Sequence, residues 1–288
     1  MKYYYLLSLV LVAITATSCG KSLSAPTAPV TVNVENFRIT IDTFSDTKSA
    51  VDPASYTYVS ALDLAFYSGE TQVYRATQIK NDGTYTTFGQ FSCNLPIGTY
   101  TLVAIGRANF EGDEFTLSSP TSAGYSSERP RETFCYTQAV TIINTSPLNL
   151  SITLNRIVSA FKITSTDNRP AEITKIRTTY HKGSKSFSPI TGLGLDDNGY
   201  SQINNPSTAV NSPISVTSYV FLTSDEEIMD ITIEALNDNN VVLYSKTLQD
   251  VSFKRNRMTK GQGTVFSTTG SAGFQLETDW LTDSVIDL

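Results

Sequence analysis

Histidine and tryptophan are almost missing from this chain: its 288 residues hold one of each, His181 and Trp280. A single histidine leaves little room for general-base or Ser-His-Asp chemistry, and no GxSxG elbow accompanies any serine. His181 lies between a strand-like run ending at Tyr180 and Gly183, so it reads as a surface turn residue. Zinc sites need Cys and His at set spacings, which never occur here. Asp196–Asp197–Asn198–Gly199 lacks the alternating oxygen ligands of a calcium loop and reads as a turn. Gly261–Gln262–Gly263 is too short to cradle a phosphate. Charge is sparse too, at 17% with a net −6, and Lys and Arg form no dense patch, which argues against a nucleic-acid partner. No catalytic residue, metal or cofactor is implied. The chain is expected to bind or build, not to catalyse.

Long hydrophobic runs are also lacking. Leu6–Ile14 is too short to cross a bilayer of ~30 Å as a helix, and no later stretch approaches eighteen apolar residues. With Lys2 before it and the small residues Ala16, Thr17 and Ser18 after it, this run marks residues 1–18 as a secretory signal. Cys19 follows at once. The segment TATSCGK resembles a bacterial lipoprotein signal, in which the cysteine becomes residue one and carries lipid, with Ala16 standing where Leu is usual. That resemblance implies attachment to the outer membrane through Cys19. Each buried CH₂ contributes ~0.8 kcal/mol, so one acyl chain holds a protein marginally and two or three hold it almost permanently.

Two further cysteines, Cys93 and Cys135, complete the inventory of three. In an exported protein they could form a disulfide, or they could remain buried free thiols acting as small hydrophobes. Spacing alone leaves both open.

What the sequence does have is β pattern. Residues 20–30 (GKSLSAPTAPV) are small, polar and Pro-punctuated, so 19–29 reads as a linker. Val30, Val32 and Val34 then alternate with polar residues, and so do Phe37, Ile39 and Ile41, with the parity changing at Glu35–Asn36. Such a change means a bulge or a break between two strands. Strand-like runs follow at Tyr56–Tyr67, Gln72–Ile79, Phe88–Asn94, Thr99–Gly106, Thr133–Ile143 and Leu148–Leu154, with Asn81–Asp82–Gly83 and Pro96–Ile97–Gly98 as turns. Residues 107–132 read as a long connection. Beyond them come Ser159–Thr164, Ile173–Tyr180, Ile214–Thr223, Asp230–Leu236, Val241–Leu248 and Gly263–Ser267. No helical period is sustained. The expected fold is all-β, two tandem β-sandwiches of Greek-key, transthyretin- or Ig-like type, spanning 30–155 and 156–288.

Four stretches carry a resemblance when read in order behind that signal: ALDLAFYSG (Ala61–Gly69), LPIGTYTLVAIG (Leu95–Gly106), LNRIVSAFKIT (Leu154–Thr164) and DVSFKRNRMTKGQGTVF (Asp250–Phe266). Together they resemble the fimbrillin proteins of Bacteroidota, which include major fimbrial subunits and lipid-bearing anchor subunits. The resemblance implies a subunit of a cell-surface fimbria, exported to the outer membrane and assembled with other fimbrial subunits by β-strand donation. It also allows a host or bacterial surface ligand. In that scheme the first strand is removed by proteolysis and a neighbour's strand fills the groove.

Two segments can be fitted to it. Cleavage after Arg38 would remove Val30–Glu35 as a unit, although Arg38 also fits the polar side of a strand. The tail, in which Phe274, Leu276, Thr278 and Trp280 alternate, could be a donor strand or the last strand of its own domain. An uncleaved anchor or accessory subunit is the favoured form. In DVSFKRNRMTKG, Val251 and Phe253 face inward while Lys254, Arg255, Arg257 and Lys260 form a basic turn, solvated or partner-binding. The rival reading is a surface lipoprotein that holds glycan in a nutrient-capture system, using some of the 15 tyrosines and 14 phenylalanines as stacking platforms.

Overall fold

The computed structural model describes residues 25–40, 48–267 and 275–278, and the regular structure of these residues is strand. The strands of the first half are β1 (Thr27–Thr40), β2 (Lys48–Val51), β3 (Ala61–Ser68), β4 (Thr71–Ile79), β5 (Gln90–Pro96), β6 (Gly98–Arg107), β7 (Phe115–Ser119), β8 (Ser122–Tyr125), β9 (Thr133–Ile142) and β10 (Leu148–Arg156). Those of the second half are β11 (Ser159–Ser165), β12 (Lys175–Tyr180), β13 (Ser186–Ser188), β14 (Leu193–Gly194), β15 (Tyr200–Asn204), β16 (Ser215–Val220), β17 (Glu226–Leu236), β18 (Val242–Lys254), β19 (Met258–Gly263) and β20 (Gln275–Thr278).

An eight-stranded sheet runs β2-β1-β10-β9-β6-β3-β4, with β5 also paired to β1. It folds on itself, because β10 meets β9 over only Asn155–Cys135 and Arg156–Phe134. The layer holding β1, β5 and β10 therefore faces the layer holding β3, β6 and β9, and Val30, Leu64, Leu102, Val140 and Leu154 are among the side chains that fill the space between. In the second half, the sheets β16-β11-β19-β20 and β15-β12-β17-β18 enclose a separate core that includes Phe161, Ile176, Tyr180, Ile231 and Phe253.

A smaller sheet, β14-β13-β8-β7, draws strands from both halves. It covers the outer face of the β3–β6–β9 layer, where Tyr67, Val103, Ile105, Phe115, Phe187 and Phe221 make a third core. This explains β6, in which Tyr100, Leu102 and Ala104 enter the first core while Val103 and Ile105 enter the third. Burial on both faces leaves no polar side to the strand.

The parity change in β1 is a bulge. Its parallel register with β10 slips between Val34 and Asn36, so Val30, Val32, Val34, Phe37 and Ile39 all reach one core. Gly106 lets this happen closely: a Cβ there would meet the Phe37 ring at 2.8 Å.

Three boundaries differ from the sequence expectation. Residues 107–132 contain β7 and β8, whose apolar residues Phe115, Leu117, Ala123 and Tyr125 lie among Gly, Ser and charge. Tyr56–Tyr67 becomes strand only at Ala61, because the Asp52 carboxylate accepts from the Ala54 N–H at 2.7 Å and holds the preceding segment in turns. The strand placed at Gly263–Ser267 is instead Met258–Gly263, whose inward positions Thr259, Gly261 and Gly263 carry no large apolar side chain to betray it.

Candidate functional site: the first strand and its surroundings

Alternating Val and the Phe37–Ile39 pair make β1 a strong β former that must bury one face. It lies inside its layer. Thr27–Asn33 pair antiparallel with β5, Phe37–Thr40 pair antiparallel with β2, and Val30–Arg38 pair parallel with β10. Its six inward side chains, Ala28, Val30, Val32, Val34, Phe37 and Ile39, are 0–6% exposed. At about 1.5–3 kcal/mol for each buried apolar side chain, their burial is comparable to the net stability of an entire domain, roughly 5–15 kcal/mol. Taking β1 away would open an apolar groove between β5 and β10 and strip ladder partners from both, a surface that only another strand of matching alternation could cover.

Arg38 sits within this strand, its side chain exposed and its backbone in register with Ala50 on one side and Asn155 on the other. A protease that reads an extended, unpaired segment would have to pull β1 out of both ladders first. The side chain lines the mouth of a cleft of about 720 Å³ between the two halves. Across that cleft the basic turn is narrower than its sequence suggests. β18 continues to Lys254, and the chain reverses at Asn256, whose φ is 59°. Lys254 pairs with Glu226 at 2.5 Å and Arg255 with Asp225 at 2.7 Å, so these charges answer one another.

At the junction of the halves lies a buried polar cluster. Glu132 Oε1 accepts from Tyr56 Oη at 2.6 Å and from Arg156 Nε at 2.8 Å, while its Oε2 accepts from Tyr219 Oη at 3.2 Å. Arg156 also donates to Tyr56 Oη at 2.8 Å and lies over the Phe134 ring. Burial works against the Arg156 charge, but Glu132 and Tyr56 outweigh it and hold the guanidinium above its ordinary range. Burial, and then the Glu132 charge, push the Tyr56 and Tyr219 phenols upward. The cluster is one ion pair sealed by two neutral phenols, and it ties residues of both halves together. Sequence reasoning missed it, because its hydrogen-bonded partners lie 24 to 100 positions apart.

The structure does not bring the two cysteines together. Cys93, on β5, packs on the first core; Cys135, on β9, belongs to the third core, where its thiol donates to the Pro189 carbonyl at 3.4 Å. Both are free thiols. Burial pushes the Cys93 thiol up to about 11 and Cys135 up to about 12.

Near the C-terminus, Leu276 and Thr278 lie in β20, which pairs antiparallel with β19 of the same chain: Leu276 stands opposite Gly261 and Thr278 opposite Thr259. Phe274, Trp280 and Cys19 lie outside the described residues. His181 is exposed, and its Nε2 is 2.8 Å from the Thr232 hydroxyl. Asp196–Gly199 is a turn that closes on the chain itself: Asp197 Oδ1 accepts the Gly183 N–H at 2.7 Å, and Gly199 has a φ of 66°. Among the described residues, no group of His, Cys, Asp and Glu could hold a metal ion, and no helix is long and apolar enough to cross a membrane.

The fold has relatives among solved structures. One, described as that of "a putative adhesin" from Bacteroides ovatus, matches with a TM-score of 0.51 at 12% identity, covering 77% of this chain and 82% of that one. The fimbrial anchor protein Mfa2 from Porphyromonas gingivalis matches with a TM-score of 0.50 at 11% identity, covering 88% of this chain and 98% of that one. At these identities the likeness is one of fold, and it is the fold that the fimbrillin resemblance implies. No curated protein sequence matches the chain. Residues 26–287 match the pattern of a family described as "Family of unknown function (DUF6562)".

Proposed function

The chain belongs to the DUF6562 family, and we propose that it is a fimbrial or adhesin-like protein of the cell surface, acting by docking with companion subunits and without catalysis. In this reading, residues 1–18 direct export, Cys19 carries the lipid that holds the protein to the outer membrane, and a tether runs from there to Pro26. Two sandwich units follow, the first opening with β1 at Thr27, three residues before the Val30 expected from the sequence, and the second spanning 156–288. Its role is that of an anchor or accessory subunit that keeps its first strand.

The observation that carries the reading is the setting of β1. A 14-residue strand supplies six side chains to a core and is laddered on both flanks. That is the geometry in which a β-strand can be exchanged between chains, since a donor with the same alternation restores both the ladder and the core. The fold shared with a fimbrial anchor supports the same conclusion. The position of Arg38, paired on both sides, favours retention of β1 over its removal.

The test is assembly. Extracted from its own cells with mild detergent, the protein should run in SDS gels as a ladder of oligomers that collapses to monomer on boiling. A protein that stays monomeric beside lipoproteins encoded next to it would overturn the proposal.

A further inference from the structure

A second cleft, of about 390 Å³, has Glu132 of the junction cluster in its lining, and both halves line it. Its volume lies at the lower end of the ~300–1,000 Å³ typical of small-ligand sites. Two large rings stand exposed at its edge, Tyr58 at 43% and Phe110 at 52%. Neither is loose. The Tyr58 ring packs against Tyr56, with centroids 5.7 Å apart. Phe110 sits on a tight turn in which its carbonyl accepts the Asp113 N–H, and the Arg131 guanidinium lies 3.8 Å above its ring. Arg131 is itself fixed by Asp113 at 2.6 Å. Exposed aromatic surface held this firmly is a preorganised platform, not a side chain that failed to find a core.

The charges of the cleft are unequal. Arg131 is neutralised by Asp113, and Glu132 by Arg156. Arg129 has no carboxylate partner among the described residues. It donates to the side-chain Oδ1 of Asn204 and, with the Gln202 amide turned to satisfy both groups, to Gln202 Oε1 at 2.7 and 3.0 Å. Burial and the neighbouring Arg131 both bear on it, pushing its pKa down. A guanidinium that is half-buried, unpaired and close to a second cation is a site where an anion gains. Around it, the Tyr58 and Thr217 hydroxyls and the Asn109 amide nitrogen have no protein partner among the described residues, leaving them available to a ligand's hydroxyls.

We infer that this cleft binds a saccharide bearing a carboxylate, such as a uronic or sialic acid: its rings stack on the sugar's C–H faces, Arg129 pairs with the carboxylate, and Thr217 and Asn109 hydrogen-bond its hydroxyls. A neutral sugar would leave Arg129 unanswered. A phosphate or a metal-bound anion would leave the two rings without a role. The inference rests on the lining of the cleft and not on assembly.

The test uses the full chain, purified in detergent, on an array carrying oligogalacturonate, sialyllactose and the carboxyl-reduced form of each. The expected result is retention of one or both acidic probes, at least about tenfold tighter than the reduced form, a difference of about 1.4 kcal/mol. Arg129→Gln should abolish that preference, while Tyr58→Ala and Phe110→Ala should each weaken binding about tenfold. Thr217→Val, which removes one hydroxyl and keeps the shape, should cost about two- to tenfold. It also serves if Phe110→Ala unsettles the Arg131 turn. Ile190→Ala, in the other cleft, should change nothing. Equal retention of acidic and reduced probes, a preference that survives Arg129→Gln, or no retention of any probe would overturn the inference.

Discussion

The strands β1 and β20 stand near opposite ends of the chain, and their settings differ in kind. β1 runs for 14 residues with partners on both sides and its apolar face in a core. β20 spans Gln275–Thr278 and, among the described residues, pairs with β19 alone, at the edge of its sheet. An inserted strand holds ladder and core together, so its loss disrupts two neighbours. An edge strand contributes ladder bonds and can leave with little consequence. If strands are exchanged between subunits, the first is the position that must be filled and the second is the segment free to move.

That contrast is sharpest at Phe37, whose ring stacks on Phe134 with centroids 4.7 Å apart and meets Tyr56 edge-on. Phe37→Ala should lower unfolding free energy by about 3–5 kcal/mol in urea titration. The adjacent Arg38→Ala should stay within ~0.5 kcal/mol. Equal effects would mean that β1 is not anchored as described.

Next in size is the junction cluster. Glu132→Leu leaves the Arg156 charge buried without its partner and should cost about 3–5 kcal/mol. Adding Arg156→Met should recover much of that loss, because the pair's desolvation is then removed with it. A double variant as unstable as the single one would show that the cluster acts through packing instead of charge.

Deleting β20 (Gln275–Thr278) should cost about 1–3 kcal/mol, the scale of a few edge hydrogen bonds. A loss as large as that of Phe37→Ala would erase the difference between the two strands.

The smallest expected effect is at the thiols. With Cys93 raised to about 11 and Cys135 to about 12 by burial, neither forms appreciable thiolate at pH 8, and native protein should resist iodoacetamide while urea-unfolded protein takes up label at both. The same shifts make stability fall as pH rises above the unfolded thiol range near ~8.5, because the folded state keeps protons that the unfolded state releases. A non-reducing mass two hydrogens low would show the disulfide that the structure lacks.

Much of the β architecture is legible because burial on one face writes a period of two. The even-to-odd switch at Glu35–Asn36 marks a bulge or a break, and the pairing with β10 makes it a bulge within β1. What stays hidden has identifiable causes. β19 is sandwiched between β11 and β20, yet it turns Thr259, Gly261 and Gly263 inward and shows no apolar stripe. β7 and β8 are short, and their few apolar residues become meaningful only when β13, some sixty residues on, completes the sheet. Both clefts and the Glu132–Arg156 cluster arise from long-range closure, which no local pattern records. The proposed lipoprotein signal rests on the order of residues 1–19 alone, which lie outside the described residues.

The central claim is a tethered subunit that retains its first strand, and the most direct measurement is intact-mass and N-terminal analysis of the protein recovered from its own cells. The account predicts a chain beginning at acylated Cys19 with β1 still covalently attached. A chain beginning at Ile39, without lipid, would contradict it.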